Sequence, residues 1–143
     1  MRIRQLNHSV YQLQYHLVWG TKYRRKFLKY YVRNEFEKAL YLLQKKYPDW
    51  YYHAINTGED HVHLLMEIPP KYAVADIVQK IKCFTSVYLK ERFKFISNIY
   101  DDGKIWSTGY FVSSVGLNEN QIKKYIYTQN QQDLGIDRTG EFS

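Results

Sequence analysis

The chain has 143 residues, of which 45% are hydrophobic and 24% charged, as is typical of one globular domain with a buried core. Lysine and arginine outnumber aspartate and glutamate by 21 to 14, and the resulting net charge of +7 favours polyanionic partners such as nucleic acid. A single cysteine, Cys83, excludes an internal disulfide and a cysteine-based zinc site. No apolar run predicts a membrane span or a signal peptide. We therefore expect one cytoplasmic domain over residues 1–143.

Apolar periodicity predicts an alternation of strands and helices along the chain. The predicted elements are a strand at 11–19, a basic loop at 20–27, a helix at 28–47, a strand at 50–56, a turn at 57–60, a strand at 61–68, a helix at 73–93, a strand at 109–115 and a closing helix at 117–132. The polar tail at 133–143 is expected to fray. This order predicts an α+β, ferredoxin-like (RRM-like) antiparallel sheet with helices on one face.

The strand at 61–68 begins with two histidines one residue apart. Alternation places His61 and His63 on one face, with Glu67 behind them, while Val62 and its alternate neighbours face the core. Two neighbouring imidazoles can bind one cation, although strand-edge histidines without a metal are the simpler alternative. We expect Glu67 to be a solvated carboxylate more readily than a further metal ligand, and Asp60 to cap the turn.

The closing helix carries a polar interruption in an apolar stripe. Tyr125 and Gln129 lie one turn apart, on the same side as Ile122 and Ile126, whereas Tyr127 points elsewhere. A glutamine on a buried face needs hydrogen-bond partners, and a metal or a phosphate would supply them. The alternative is that Tyr125 is an ordinary packing tyrosine, one of 15 in the chain.

With these motifs, the sequence resembles the single-tyrosine, IS200-like transposases of bacterial and archaeal insertion sequences, the TnpA type of the HUH endonuclease superfamily. The superfamily's histidine–hydrophobic–histidine motif is matched by His61-Val62-His63, and its tyrosine–glutamine motif by the segment YIYTQ at 125–129. The segments YHLVWGTKYRRKFL and GYFVSSVG also resemble the family, in the family's order. The resemblance covers roughly residues 10–132.

The resemblance implies a mechanism for these residues. His61, His63 and Gln129 would hold a divalent metal, Mg²⁺ or Mn²⁺, and nitrogen donors suit Mn²⁺ better. Tyr125 would attack a scissile phosphate of single-stranded DNA and form a 5′-phosphotyrosine, which a 3′ hydroxyl can reverse. The family's substrates carry hairpins, and its enzymes are homodimers that exchange the closing helix.

Several other residues have weaker assignments. The candidates for contacting DNA are Lys22, Tyr23, Arg24, Arg25 and Lys26 in the basic loop, with Lys80 and Lys82 as secondary choices. His16 and His53 are expected to be structural, and Cys83 to fill the core. Two alternative functions remain open: a domesticated nickase that acts on chromosomal hairpins, and a non-catalytic module whose sheet aromatics stack on bases.

Overall fold

The structure of the protein is a computed structural model that describes residues 4–6, 9–11 and 13–114, the first two stretches by their backbone alone. The elements are β1 (Arg4–Leu6), β2 (Ser9–Tyr11), β3 (Gln14–Gly20), a 3₁₀ turn (Lys22–Arg24), α1 (Tyr30–Lys46), β4 (Tyr51–Thr57), β5 (His61–Glu67), α2 (Val74–Arg92), α3 (Lys94–Ile99) and β6 (Phe111–Ser114). The predicted closing helix at 117–132 and the tail at 133–143 lie outside the described residues.

A four-stranded sheet forms the centre of the domain. Its strand order is β4-β5-β3-β6, and every neighbouring pair is antiparallel. Since α1 connects β3 to β4 and α2 lies between β5 and β6, the chain follows the ferredoxin-like β-α-β-β-α-β order. The predicted α+β fold is therefore confirmed. β1 and β2 form a separate two-stranded sheet.

The hydrophobic core lies between one sheet face and the helices. Alternate residues of β3 and β5, among them Leu17, Trp19 and Leu64, are fully buried in it. From α1 the core receives the stripe predicted by helical spacing: Val32, Phe36, Ala39, Leu40 and Leu43. No helix within the described residues is long and apolar enough to cross a membrane.

Several features of the structure differ from the sequence predictions. The first long strand starts at Gln14 rather than at residue 11, because Ser9–Tyr11 pairs with Arg4–Leu6 instead. The short helix Lys94–Ile99 was not predicted, since only Ile96 within it is buried and six residues show no clear period. The prediction that Cys83 fills the core is wrong, because its side chain is exposed on α2. Glu67 also differs, as described below.

The segment from residue 100 to 107 ties the sheet to α2. Trp106 packs edge-on against Trp19 with ring centroids 5.9 Å apart, and its indole N–H donates to the buried Thr85 hydroxyl at 3.1 Å. Thr85 in turn donates to the carbonyl of Ile81 at 2.7 Å. Tyr100 donates its hydroxyl to the carbonyl of Lys22 at 2.7 Å. Burial raises the pKa of the Tyr100 hydroxyl to about 12, so it stays protonated as a donor.

The Trp106–Thr85 hydrogen bond provides a test of this packing. Thr85→Val preserves the side-chain shape but leaves the buried indole N–H without its acceptor, so we expect the free energy of unfolding to fall by roughly 1–3 kcal/mol. Urea denaturation of the purified variant measures this change. Thr108→Val, at the exposed position that directly follows this segment, is the control and should change stability little. Equal stability of both variants would contradict the role assigned to the bond.

Candidate functional site

His61 and His63 open the central strand β5 on the sheet face opposite the hydrophobic core. In the ladder, His61 lies across from Gly20 and His63 across from Val18. The two imidazole centroids are 4.9 Å apart and their planes are nearly perpendicular. Both side chains are buried, so these are not surface histidines. The geometry brings two ring nitrogens within reach of one small ligand.

The ring of His61 is held from two sides. Its Nδ1 lies 2.8 Å from Oδ1 of Asp60, and a carboxylate can only accept, so Nδ1 carries a proton. Gly58 lies against the ring, because a Cβ added there would be 2.3 Å from His61 Cε1 and 2.8 Å from Nε2. A glycine in the turn therefore makes room for the imidazole. The sequence showed Gly58 and Asp60 only as turn residues.

The second oxygen of Asp60 accepts from the basic loop. Arg24 Nε lies 3.2 Å from Asp60 Oδ2. Burial alone would raise the pKa of this carboxyl, but the hydrogen bonds from His61 and Arg24 outweigh it and lower the pKa to about 2. Asp60 is therefore ionised at neutral pH and bridges Arg24 to His61. The expectation that it merely caps the turn understated its contacts.

His63 has a ring partner on the neighbouring strand. Nε2 of His16 lies 3.3 Å from Nδ1 of His63, with the ring centroids 5.5 Å apart and 14° between the ring planes. Burial, together with the positive charge that His63 can carry, lowers the pKa of His16 to about 4. His16 is therefore neutral at physiological pH. Its assignment as a structural histidine omitted this contact with the histidine pair.

Glu67 does not join the histidine pair. It is almost fully buried, and its Oε1 lies 3.3 Å from Nε2 of the equally buried His53. The expectation of a solvated carboxylate is therefore wrong. It lies four positions beyond His63 on the strand, which is about 13 Å at about 3.3 Å per residue. This distance excludes Glu67 as a ligand of a metal bound by both His61 and His63.

Two imidazole donors alone make an incomplete metal site. Within residues 13–114, no group of three or more histidine, cysteine, aspartate or glutamate side chains is arranged to hold a metal ion. The described imidazole nitrogens suit Mn²⁺ better than Mg²⁺, and a further ligand has to come from elsewhere in the chain or from substrate. Tyr125 and Gln129, the remaining sequence-predicted site residues, lie outside the described residues.

The basic loop, residues 20–27, lies beside the histidine turn. Thr21 N donates to the carbonyl of Asp60 at 2.9 Å, and Leu28 N to that of Glu59 at 3.0 Å. Tyr23 and Arg24 have φ angles of 59° and 54°, a left-handed conformation that costs free energy in residues with a side chain. Tyr23 is 74% exposed.

The predicted DNA-contacting side chains differ in their surroundings. Lys22 is paired with Asp102 at 2.5 Å and Arg24 with Asp60, whereas Arg25 and Lys26 are exposed. Lys82 donates to the carbonyls of Ser107 and Gly109 at 2.8 and 2.7 Å. Burial lowers the pKa of Lys82. Since Lys82 anchors a loop, its choice as a secondary DNA contact is not supported by its position.

Comparison with known proteins identifies relatives over most of the chain. The family model described as "Transposase IS200 like" matches residues 9–129. The chain is 33% identical over 133 residues to the transposase for insertion sequence element IS200 of Salmonella typhimurium, covering 91% of this chain and 85% of that protein. It is 29% identical over 125 residues to the ISDra2 transposase TnpA of Deinococcus radiodurans, covering 87% and 89% respectively.

Solved structures share the fold. The crystal structure of a Deinococcus radiodurans protein described as a transposase matches with a TM-score of 0.71 and 27% identity, over 88% of this chain and 97% of that chain. A REP-associated tyrosine transposase bound to a REP hairpin matches with a TM-score of 0.60, over 84% of this chain and 67% of that chain. At 12% identity, the second likeness shows the fold alone.

The contact of Gly58 with His61 can be tested directly. Gly58→Ala adds a methyl group where the imidazole lies, so we expect the ring to be displaced and the free energy of unfolding to fall by roughly 1–3 kcal/mol. Histidine ring NMR and urea denaturation measure the two effects. Glu59→Ala, which removes an exposed carboxylate from the same turn, should leave the His61 resonances in place. Unchanged His61 resonances in Gly58→Ala would contradict the packing.

Proposed function

Because the chain belongs to the IS200-like transposase family, we propose that it cleaves and rejoins single-stranded DNA at insertion-sequence ends, through a covalent bond between Tyr125 and the 5′ phosphate. The observation that carries this proposal is the convergence of His61 and His63 on the buried sheet face, with Nδ1 of each ring in contact with a neighbouring side chain. Such rings are suited to binding a cation through their second nitrogen.

We assign the metal ligands to His61, His63 and Gln129. A divalent cation, Mg²⁺ or Mn²⁺, would supply Lewis-acid polarisation of the scissile phosphate when bound there. Two neutral imidazoles and an amide oxygen leave the charge of the cation available to the phosphate oxygens. The chain itself holds the two imidazole rings on a central strand. A strand positions side chains more precisely than a loop does.

Tyr125 acts as the nucleophile in this proposal. Its hydroxyl oxygen forms a bond to phosphorus while the bond from phosphorus to the 3′ oxygen of the preceding nucleotide breaks. The tyrosine loses one proton and the departing 3′ oxygen gains one, so a free 3′ hydroxyl and a 5′-phosphotyrosine result. Attack by another 3′ hydroxyl reverses the step and joins new strands without hydrolysis.

The substrate we propose is single-stranded DNA that carries a hairpin, by analogy with the related tyrosine transposase whose structure contains a REP hairpin. The basic loop places Tyr23, Arg25 and Lys26 in solvent beside the histidine turn. Arginine and lysine bind backbone phosphates, and an exposed aromatic ring can stack on a base. Lys22 and Arg24 are already paired with carboxylates, so we expect smaller contributions from them.

We also propose a homodimer that exchanges its closing helices.

A non-catalytic binding module is the second candidate. The large aromatic side chains Trp19 and Tyr52 of β3 and β4 are buried in the core, so they are not available to stack on bases, whereas Tyr51 of β4 and Phe111 of β6 are only half-buried. A domesticated nickase would use the same site as a mobile transposase, and the two differ in substrate rather than in chemistry.

The covalent step is tested by substituting the nucleophile. Incubation of the full chain with labelled hairpin DNA and Mn²⁺ should give a protein–DNA band that survives denaturation. We expect Tyr125→Phe, or a chelator, to abolish this band, because the attacking oxygen or the polarising ion is lost. Tyr127→Phe is the matched control and should retain it. A band lost only in Tyr127→Phe would assign the nucleophile to the other tyrosine, and tight binding without any adduct would favour the non-catalytic module.

The basic loop is tested through the salt dependence of DNA binding. Arg25→Ala and Lys26→Ala should each weaken binding and reduce the slope of log K against log salt by about 1, because each removes one phosphate contact. Fluorescence anisotropy at several salt concentrations measures both quantities. Lys45→Ala, an exposed lysine in the last turn of α1, is the control. Equal effects of all three substitutions would show that only net charge matters.

A further inference from the structure

We propose that Asp60 and His16 are positioning residues that fix both imidazoles of the histidine pair as Nδ1–H tautomers, so that both offer Nε2 to a cation. The inference rests on the proposed metal role of His61 and His63. It concerns neighbouring side chains that would contact neither the metal nor the DNA.

For His61 the direction of the hydrogen bond follows from its partner. Asp60 Oδ1 lies 2.8 Å from Nδ1, and an ionised carboxylate has no proton to donate. The proton is therefore on Nδ1 and the lone pair of the neutral ring on Nε2. Arg24 holds the other carboxylate oxygen at 3.2 Å, which limits rotation of the Asp60 side chain. Carboxylates in this position orient metal-binding histidines and raise their basicity.

For His63 the partner is a second histidine, which can either donate or accept. The contact joins Nε2 of His16 to Nδ1 of His63 at 3.3 Å. If His16 donated, a neutral His63 would carry its proton on Nε2 and could not bind a cation there. The distance is compatible with either direction, so the acceptor role of His16 is part of the proposal, and the tautomer of His63 tests it. The two ring planes lie 14° from parallel, and the rings meet edge to edge through these nitrogens.

The arrangement places one partner on each side of the pair. Asp60 precedes His61 in the turn. His16 lies on the adjacent strand β3, which is aligned with β5 so that Leu17, the residue after His16, pairs with Leu64. Both contacts are buried or partly buried, and each acts on Nδ1. Loss of one partner should therefore weaken cation binding without removing a ligand.

The first experiment uses the metal-free full chain and needs no substitution. Long-range ¹H–¹⁵N correlation spectra above neutral pH distinguish Nδ1–H from Nε2–H imidazoles among the five histidines. We expect His61 and His63 to be Nδ1–H tautomers. An Nε2–H tautomer at either ring overturns the proposal. This result is independent of Tyr125 and of DNA, so a failure here is distinguishable from a failure of the proposed transposase chemistry.

The second experiment measures Mn²⁺ affinity by calorimetry and electron paramagnetic resonance. Asp60→Ala and His16→Phe should each weaken Mn²⁺ binding by roughly 10- to 100-fold. His16→Phe keeps an aromatic ring at this position but offers no acceptor, whereas His16→Gln and Asp60→Asn restore an acceptor and should recover part of the affinity. Asp49→Asn, whose carboxylate pairs with Lys71 elsewhere, should bind like the wild type.

Folding is monitored by circular dichroism and thermal unfolding of each variant. Weak Mn²⁺ binding in a folded His16→Phe, with recovery in His16→Gln, supports the positioning role. Wild-type affinity in both Asp60→Ala and His16→Phe overturns it. If the wild-type chain binds no Mn²⁺ while both rings are Nδ1–H tautomers, the positioning contacts stand and the proposed metal site fails.

Discussion

The antiparallel ladder between β3 and β5 is the constraint on which the rest of the structure depends. It runs without interruption from Gln14 opposite Glu67 to Gly20 opposite His61. Side chains alternate between faces, so a slip of one residue would turn both histidines of β5 into the core and the core leucines out. Because β5 also pairs with β4 on its other edge, its register is fixed on two sides. The position of the histidine pair is therefore a consequence of core packing on the opposite face.

The same ladder brings charge to the site. Gly20 ends β3 across from His61, so the basic loop that follows it lies beside the turn that precedes the pair. Backbone hydrogen bonds from Thr21 to Asp60 and from Leu28 to Glu59 hold loop and turn together. The ion pair from Arg24 to Asp60 then connects a cationic surface to a buried imidazole. A phosphate bound by this loop and a cation held by the histidines would act on neighbouring parts of one DNA strand. The proposed substrate therefore gives a reason for the basic loop and the histidine pair to lie side by side.

The sequence predicts the elements well and the contacts around the site poorly, for physical reasons. Periods of 2 and of 3.6 residues are local, so the buried stripe of α1 and the faces of β5 follow from residue order. The partnership of His16 with His63 depends on how β3 and β5 align, which no local pattern contains. In the sequence, Gly58 and Asp60 are recognisable only as turn residues. The space that Gly58 leaves for the imidazole, and the contacts of Asp60, depend on the three-dimensional structure. Tyr125 and Gln129 were predicted from their spacing and from the resemblance, on a predicted closing helix outside the described residues, and they remain predictions.

The two faces of the sheet meet opposite physical demands. The core face is filled by apolar side chains whose burial stabilises the fold. The histidine face buries His16, His63 and Gln14 instead, and within residues 13–114 neither amide atom of Gln14 has a hydrogen-bond partner. Burying polar groups costs free energy unless each is satisfied, so stability alone would favour apolar residues here. Proteins tolerate such local conflicts at functional sites. This free-energy cost falls on the sheet face that carries His61 and His63, whose Nδ1 atoms contact Asp60 and His16. We infer that a chemical function, rather than packing, is the reason for the polar residues on this face.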